Sequence, residues 1–215
     1  MTRETERGRL VVLVADRDIE EALAELFRRR ESLGLGPFRF EIRRYPGRDA
    51  GCYTDAANYL RQFLRTCRFA LVVFDRRGSG STSSREDMER TVENSLSRNG
   101  WKDRGRAIVI DPELETWVWA GSPVVSTALG WGRDHDTLRR WLVDTGLWDE
   151  GRSKPGDPKK AMSRALRGAP PTSRRRRSAR LFGEIAAGVS LGGCRDQAFL
   201  KLRRILQEWF SKAEP

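Results

Sequence analysis

Histidine and cysteine are scarce in this chain, with one of the first and three of the second in 215 residues. Cys52, Cys67 and Cys194 lie far apart and form no CxxC pair, so neither a zinc site nor a disulfide framework is indicated. The lone histidine, His135, stands in Arg133-Asp-His-Asp136 with no nucleophile at a recognisable spacing. A capping or surface role suits it better than general-base work. No apolar stretch approaches the ~20 residues of a membrane span. The first seven residues carry charges of both signs and lack the apolar segment of a secretion signal. The expectation is a soluble protein of a reducing cytoplasm, without membrane association. Negative charge is in the minority, 30 Asp plus Glu against 41 Lys plus Arg, for a net charge of +11. Such a balance favours a polyanionic partner, nucleic acid above all, through phosphate neutralisation and counterion release. A generally arginine-rich surface is the plainer alternative.

What the chain does have is a set of short apolar runs that end in carboxylates. Phe69-Ala-Leu-Val-Val-Phe runs into Asp75 and then into Arg76-Arg-Gly78-Ser-Gly80. A run this short, rich in Val and Phe and closed by a turn signal, reads as a strand buried on both faces. Leu10 to Ala15 runs in the same way into Asp16 and Asp18, and Ala107 to Ile110 into Asp111, Glu113 and Glu115. In an open parallel sheet, ligands bind outside the carboxyl ends of the strands, where these acids stand.

Between the runs lie helix patterns. Ile19, Leu23, Leu26 and Phe27 make one apolar face of a helix over 19–30, with Asp18 as its N-cap. Phe38 to Arg44 alternates apolar and polar, the pattern of a half-exposed edge strand. Tyr45 to Gly51 reads as a loop holding Asp49, and a helix is predicted over 54–67. Ser84 and Asp87 open a third helix that Asn99-Gly100 ends. Pro112 suits the first position of a helix with Leu114, Trp117 and Val118 inward. The fold class implied is α/β, a mainly parallel sheet with helices on both faces, over residues 1–120. Residues 121–215 form a Trp- and Arg-rich helical extension packed on it. Helices are predicted there over 135–144, 178–189 and 196–212, while 149–177 is rich in loop signals.

The acids at the strand ends suggest a hard-cation site. Oxygen-only clusters select Mg²⁺ or Mn²⁺, and two such ions can stabilise the attacking and leaving oxygens of a phosphodiester displacement. The candidate metal ligands are Asp16, Glu20, Asp75, Glu113 and Glu115, with Asp16, Glu20, Asp75 and Glu115 as the catalytic set. Helix capping is the plain alternative for any one of them. Arg17, Arg76, Arg77 and the run Arg174, Arg175, Arg176 and Arg177 are candidate phosphate contacts. The run could equally be a solvated linker. Gly78-Ser-Gly80 lacks the lysine and spacing of a P-loop and reads as a turn. Most of the seven tryptophans should be core, with Trp131 and Trp148 as candidates to stack on bases.

Taken in order, Val14-Ala-Asp16-Arg-Asp-Ile-Glu20 and Val72-Val-Phe-Asp75-Arg-Arg77 resemble the acidic motifs of Toprim-type domains. That family includes the RloB-type and OLD-type nucleases of bacterial defence systems; Asp111-Pro-Glu113-Leu-Glu115-Thr-Trp117 is similar to a segment of its RloB-like members, and Cys194-Arg-Asp196-Gln-Ala-Phe199 to their C-terminal helix start. The resemblance spans most of residues 9–120. It implies a Mg²⁺- or Mn²⁺-dependent nuclease acting on DNA or RNA in antiphage defence, beside a partner ATPase or methyltransferase. It departs from the family at Arg77, where a second aspartate is usual, and at Arg17, where glycine is usual. An arginine there could repel a cation or hold a phosphate. The second reading is therefore a catalytically degenerate Toprim-like module that binds nucleic acid or scaffolds a complex. A small-molecule enzyme using the same crevice is a third.

Overall fold

A computed structural model describes residues 8–119 and 121–211. Four strands, β1 Arg9–Val14, β2 Arg39–Arg44, β3 Phe69–Asp75 and β4 Gly105–Ile110, form one sheet in the order β2-β1-β3-β4, every pair parallel. Leu10 to Val14 and Ala70 to Phe74 are fully buried. Covered on both faces, these strands have no solvent side to alternate with, which is why they read as unbroken apolar runs. β2 lies at one edge and is half-buried to exposed along its length, as its alternation predicts.

Three helices connect the strands: α1 Arg17–Arg28, α2 Arg48–Leu60 and α3 Arg85–Leu96. The β1-to-β2 crossover runs one way along the sheet, and the next two run the other way. Right-handed crossovers in opposite directions put α1 on one face and α2 and α3 on the other. The remaining α-helices among the described residues are α4 Glu115–Val118, α5 Pro123–Ala128, α6 His135–Asp144, α7 Pro158–Gly168, α8 Ala179–Gly188 and α9 Gln197–Phe210. The apolar residues of this second half join those around the sheet in one core. α8 is tied to the end of α1 by Arg29, whose Nη1 donates to Ala186 O at 2.7 Å and Val189 O at 2.8 Å. Phe210 stacks on Phe38 with ring centroids 4.4 Å apart.

β4 is the other edge strand, and side chains close it. Glu89 Oε1 accepts from Val109 N at 3.0 Å and Glu93 Oε1 from Ala107 N at 3.1 Å. Lys201 Nζ from α9 joins both carboxylates, at 3.1 and 2.8 Å. Edge N–H groups that would otherwise template another strand are thereby satisfied.

Several boundaries differ from the sequence reading. The N-cap of α1 is Asp16, whose Oδ1 accepts from Ile19 N at 3.0 Å, not Asp18. α2 begins at Arg48, six residues before the expected Thr54, and takes Asp49 into its first turn. Pro112 does not open a helix, since α4 starts at Glu115. α7 replaces what read as loop. Asp157 caps it by accepting from Lys160 N at 2.9 Å, Pro158 sits at its start, and Ala161, Met162, Ala165 and Leu166 are buried. By contrast α3, α6, α8 and α9 lie within a residue or two of expectation.

Candidate functional site

The strand order reverses between β1 and β3, which opens a crevice at their carboxyl ends. Val14 pairs with Val73, so the same register carried two residues further sets Asp16 level with Asp75. Asp75 is the last residue of β3. Its backbone N–H donates to Asp49 Oδ1 at 2.8 Å, bringing in an acid from the start of α2. Gly78 makes that approach possible, because a Cβ on it would overlap the Asp49 carboxylate. Asp75 Oδ1 is buried without a hydrogen-bond partner. Burial first, and then the negative charges of Asp49, Glu115, Asp16 and Glu113, push the Asp75 carboxyl well above its usual range. Burial likewise raises Asp49, with the Asp75 N–H pulling the other way and the Asp16 charge adding to the rise.

The loop after β4 and the start of α4 complete the rim with Glu113 and Glu115, which are 2% and 1% exposed. Here cations accompany the acids. Arg77 Nη1 lies 3.1 Å from Glu113 Oε1, and Lys159 Nζ lies 3.0 Å from Glu113 Oε2. Arg177 donates to Glu115 Oε1 from Nη2 at 2.9 Å and from Nε at 3.3 Å. The same Nη2 is 2.6 Å from Asp18 Oδ2, and the guanidinium lies over the Phe182 ring at 4.9 Å. Burial raises the Asp18 carboxyl despite the opposing charge of Arg177. For Lys159, burial would lower the amine, but the hydrogen bond to Glu113 and the charges of Glu115 and Glu113 outweigh it and raise it.

The rim thus has two parts. Glu113, Glu115 and Asp18 are ion-paired, while Asp16, Asp49 and Asp75 make no ion pair among the described residues. Glu20, expected with this group, is instead engaged by Arg44 Nε at 2.9 Å. The candidate phosphate contacts are divided too. Arg76 binds Ser83 O at 3.0 Å and Asp111 Oδ1 at 3.3 Å, so with Arg77 it fastens the β3 turn to the loop after β4. Arg175 lies 2.7 Å from Glu184 Oε2. Arg17 is exposed and loosely paired with Glu21 at 3.6 Å. Arg174 and Arg176 are exposed, and neither forms an ion pair among the described residues.

Trp148 is too buried to serve as a stacking platform, while Trp131 is half-buried. Trp131 packs on Trp141 at 4.8 Å and donates to Ala165 O, while Trp148, 4% exposed, packs on Trp119 at 5.6 Å. Cys52 and Cys67 are buried, and burial pushes both thiols up. Burial lowers the pKa of His135, the first residue of α6.

Sequence reading placed Asp49 in a loop and missed Lys159 altogether. The spacing of Cys52, Ala56 and Leu60 would have extended α2 toward Asp49. Lys159 carried no comparable signal, because only tertiary packing brings α7 to the rim.

Among the described residues no three His, Cys, Asp or Glu side chains form a ready metal cage. The orphaned Asp75 Oδ1 and the all-oxygen character of its neighbours nevertheless fit a hard cation. No helix of the described residues is long and apolar enough to cross a membrane. Compared with protein-family models, with curated proteins and with solved structures, the chain matches none.

Proposed function

We propose that this chain is a Toprim-like protein that cleaves nucleic acid with Mg²⁺ or Mn²⁺ held at the β1/β3 crevice. The observation that carries this reading is the buried, unpartnered Asp75 Oδ1 facing the charges of Asp16, Asp49, Glu113 and Glu115. A carboxylate kept dry among like charges is costly unless a cation or a proton joins it. Asp16, Asp49 and Asp75 would hold the ion, with Glu115 contributing when Arg177 releases it. The ion would supply the positive charge that a phosphodiester displacement needs on its attacking and leaving oxygens. The chain's own basic side chains hold the strand, which suits a net charge of +11. A place in antiphage defence, beside an ATPase or methyltransferase, rests on the resemblance of the motifs at Asp75 and at Asp111 to Trp117.

A second reading is favoured by a specific observation. Arg177, Lys159 and Arg77 already neutralise Glu115 and Glu113. A rim whose acids are satisfied internally suits a catalytically degenerate module that binds nucleic acid or scaffolds a complex. One assay separates the two. Wild type, Asp75→Asn and Glu115→Gln are incubated with Mg²⁺ or Mn²⁺ and single-stranded DNA, duplex DNA or tRNA. Cleavage by wild type, abolished in both variants, is the expected result. Binding without cleavage of any substrate supports the degenerate module.

A further inference from the structure

Next to Asp16, the ends of β1 and β2 and the start of α2 enclose a cleft of about 410 Å³, lined chiefly by Ala15, Asp16, Arg17, Arg44, Tyr45 and Arg48. We propose that this cleft binds a backbone phosphate of a nucleic-acid strand, adjoining the phosphodiester at the Asp75 carboxylates. The inference rests on the reading of that rim as a nucleic-acid site and names where the strand continues.

Three arginines reach the cleft from three separate elements, the first residue of α1, the last of β2 and the first of α2. The guanidinium of Arg48 makes no hydrogen bond or ion pair among the described residues, although Arg48 is the residue before Asp49. Arg17 is 70% exposed and its 3.6 Å pair with Glu21 is of the weak surface kind. Glu20 steadies Arg44 through Nε. Planar guanidinium forks match phosphate oxygens, and three of them around one opening are more than α1 or α2 needs for folding. Asp16 shares the cleft, and its charge opposes a phosphate bound alone. The connected strand, anchored at neighbouring sites, supplies the effective concentration that a free anion lacks. The cleft and the carboxylate rim meet at Asp16 and across the Arg48-Asp49 step, so a strand can occupy both.

Arg48 has φ of 51°, the left-handed region in which glycine is the unstrained residue. Arg48→Gly therefore removes the guanidinium without endangering the fold, and Arg44→Gln is the second variant. Binding of a fluorescein-labelled single-stranded oligonucleotide is followed by anisotropy in EDTA as NaCl is raised. Each variant is expected to bind several-fold more weakly, with the slope of log K against log[salt] reduced by about 0.7. Unchanged affinity and slope in both variants would overturn the proposal. Displacement of the oligonucleotide from wild type, but not from Arg48→Gly, by ATP or inorganic phosphate at low concentration would assign the cleft to a free nucleotide or anion and overturn the strand. Because cleavage is silent in EDTA, a protein that binds through the cleft but never cuts keeps this proposal while losing the metal-dependent one.

Discussion

The guanidinium of Arg177 sits 2.9 Å from Glu115 Oε1, joining the last residue of a four-arginine run to a carboxylate that is 1% exposed. It also reaches Asp18, so one cation neutralises two acids that follow different strands, β1 and β4.

Removing that cation leaves a buried charge without compensation. Arg177→Met is expected to cost on the order of 3 kcal/mol in urea unfolding, as breaking a buried pair does. Adding Glu115→Gln in the same chain recovers most of the loss. Two additive losses would mean that the pair is not coupled.

The Asp75 carboxyl sets a pH dependence. Its folded pKa is raised, so the folded chain keeps a proton that the unfolded chain releases. Stability is then greatest below the unfolded carboxylate value of about 3.9 and falls as pH rises toward the folded pKa. In metal-free buffer Asp75→Asn should remove this decline. At pH 7 it should be more stable than wild type. Parallel stability curves for the two proteins between pH 4 and 8 would refute the assignment.

Glu89→Ala uncovers the β4 edge. It deletes the acceptor of the Val109 N–H and one partner each of Arg85 and Lys201. The expected cost is about 3 kcal/mol. Size-exclusion chromatography should also show self-association that grows with concentration, because an unpaired edge strand templates another chain. A variant as monomeric and as stable as wild type would contradict this account of the edge.

Much of the scaffold was legible because buried parallel strands and amphipathic helices write themselves as local patterns. The runs before Asp16, Asp75 and Asp111 gave β1, β3 and β4, and the alternation of Phe38 to Arg44 gave the edge strand β2. Caps with a single candidate, such as Ser84, were read correctly. Where two acids competed, as with Asp16 and Asp18, the choice fell on the wrong one, since both suit an N-cap and only the hydrogen bond to Ile19 N decides. The convergence of Asp16, Asp75, Glu113 and Glu115 followed from strand-end geometry. The ion pairing of Glu113 and Glu115 did not, because Lys159 and Arg177 stand 46 and 62 residues away along the chain from their partners. Contacts at that separation leave no periodic trace in a single sequence.

Titration with Mn²⁺, followed by electron paramagnetic resonance of the free ion, tests the central assignment most directly. Wild type should remove Mn²⁺ from solution, Mg²⁺ should displace it, and Asp75→Asn should fail to bind while remaining folded by circular dichroism. Equal binding by wild type and Asp75→Asn, or none by the folded wild type with or without an oligonucleotide, would contradict a cation site at the end of β3.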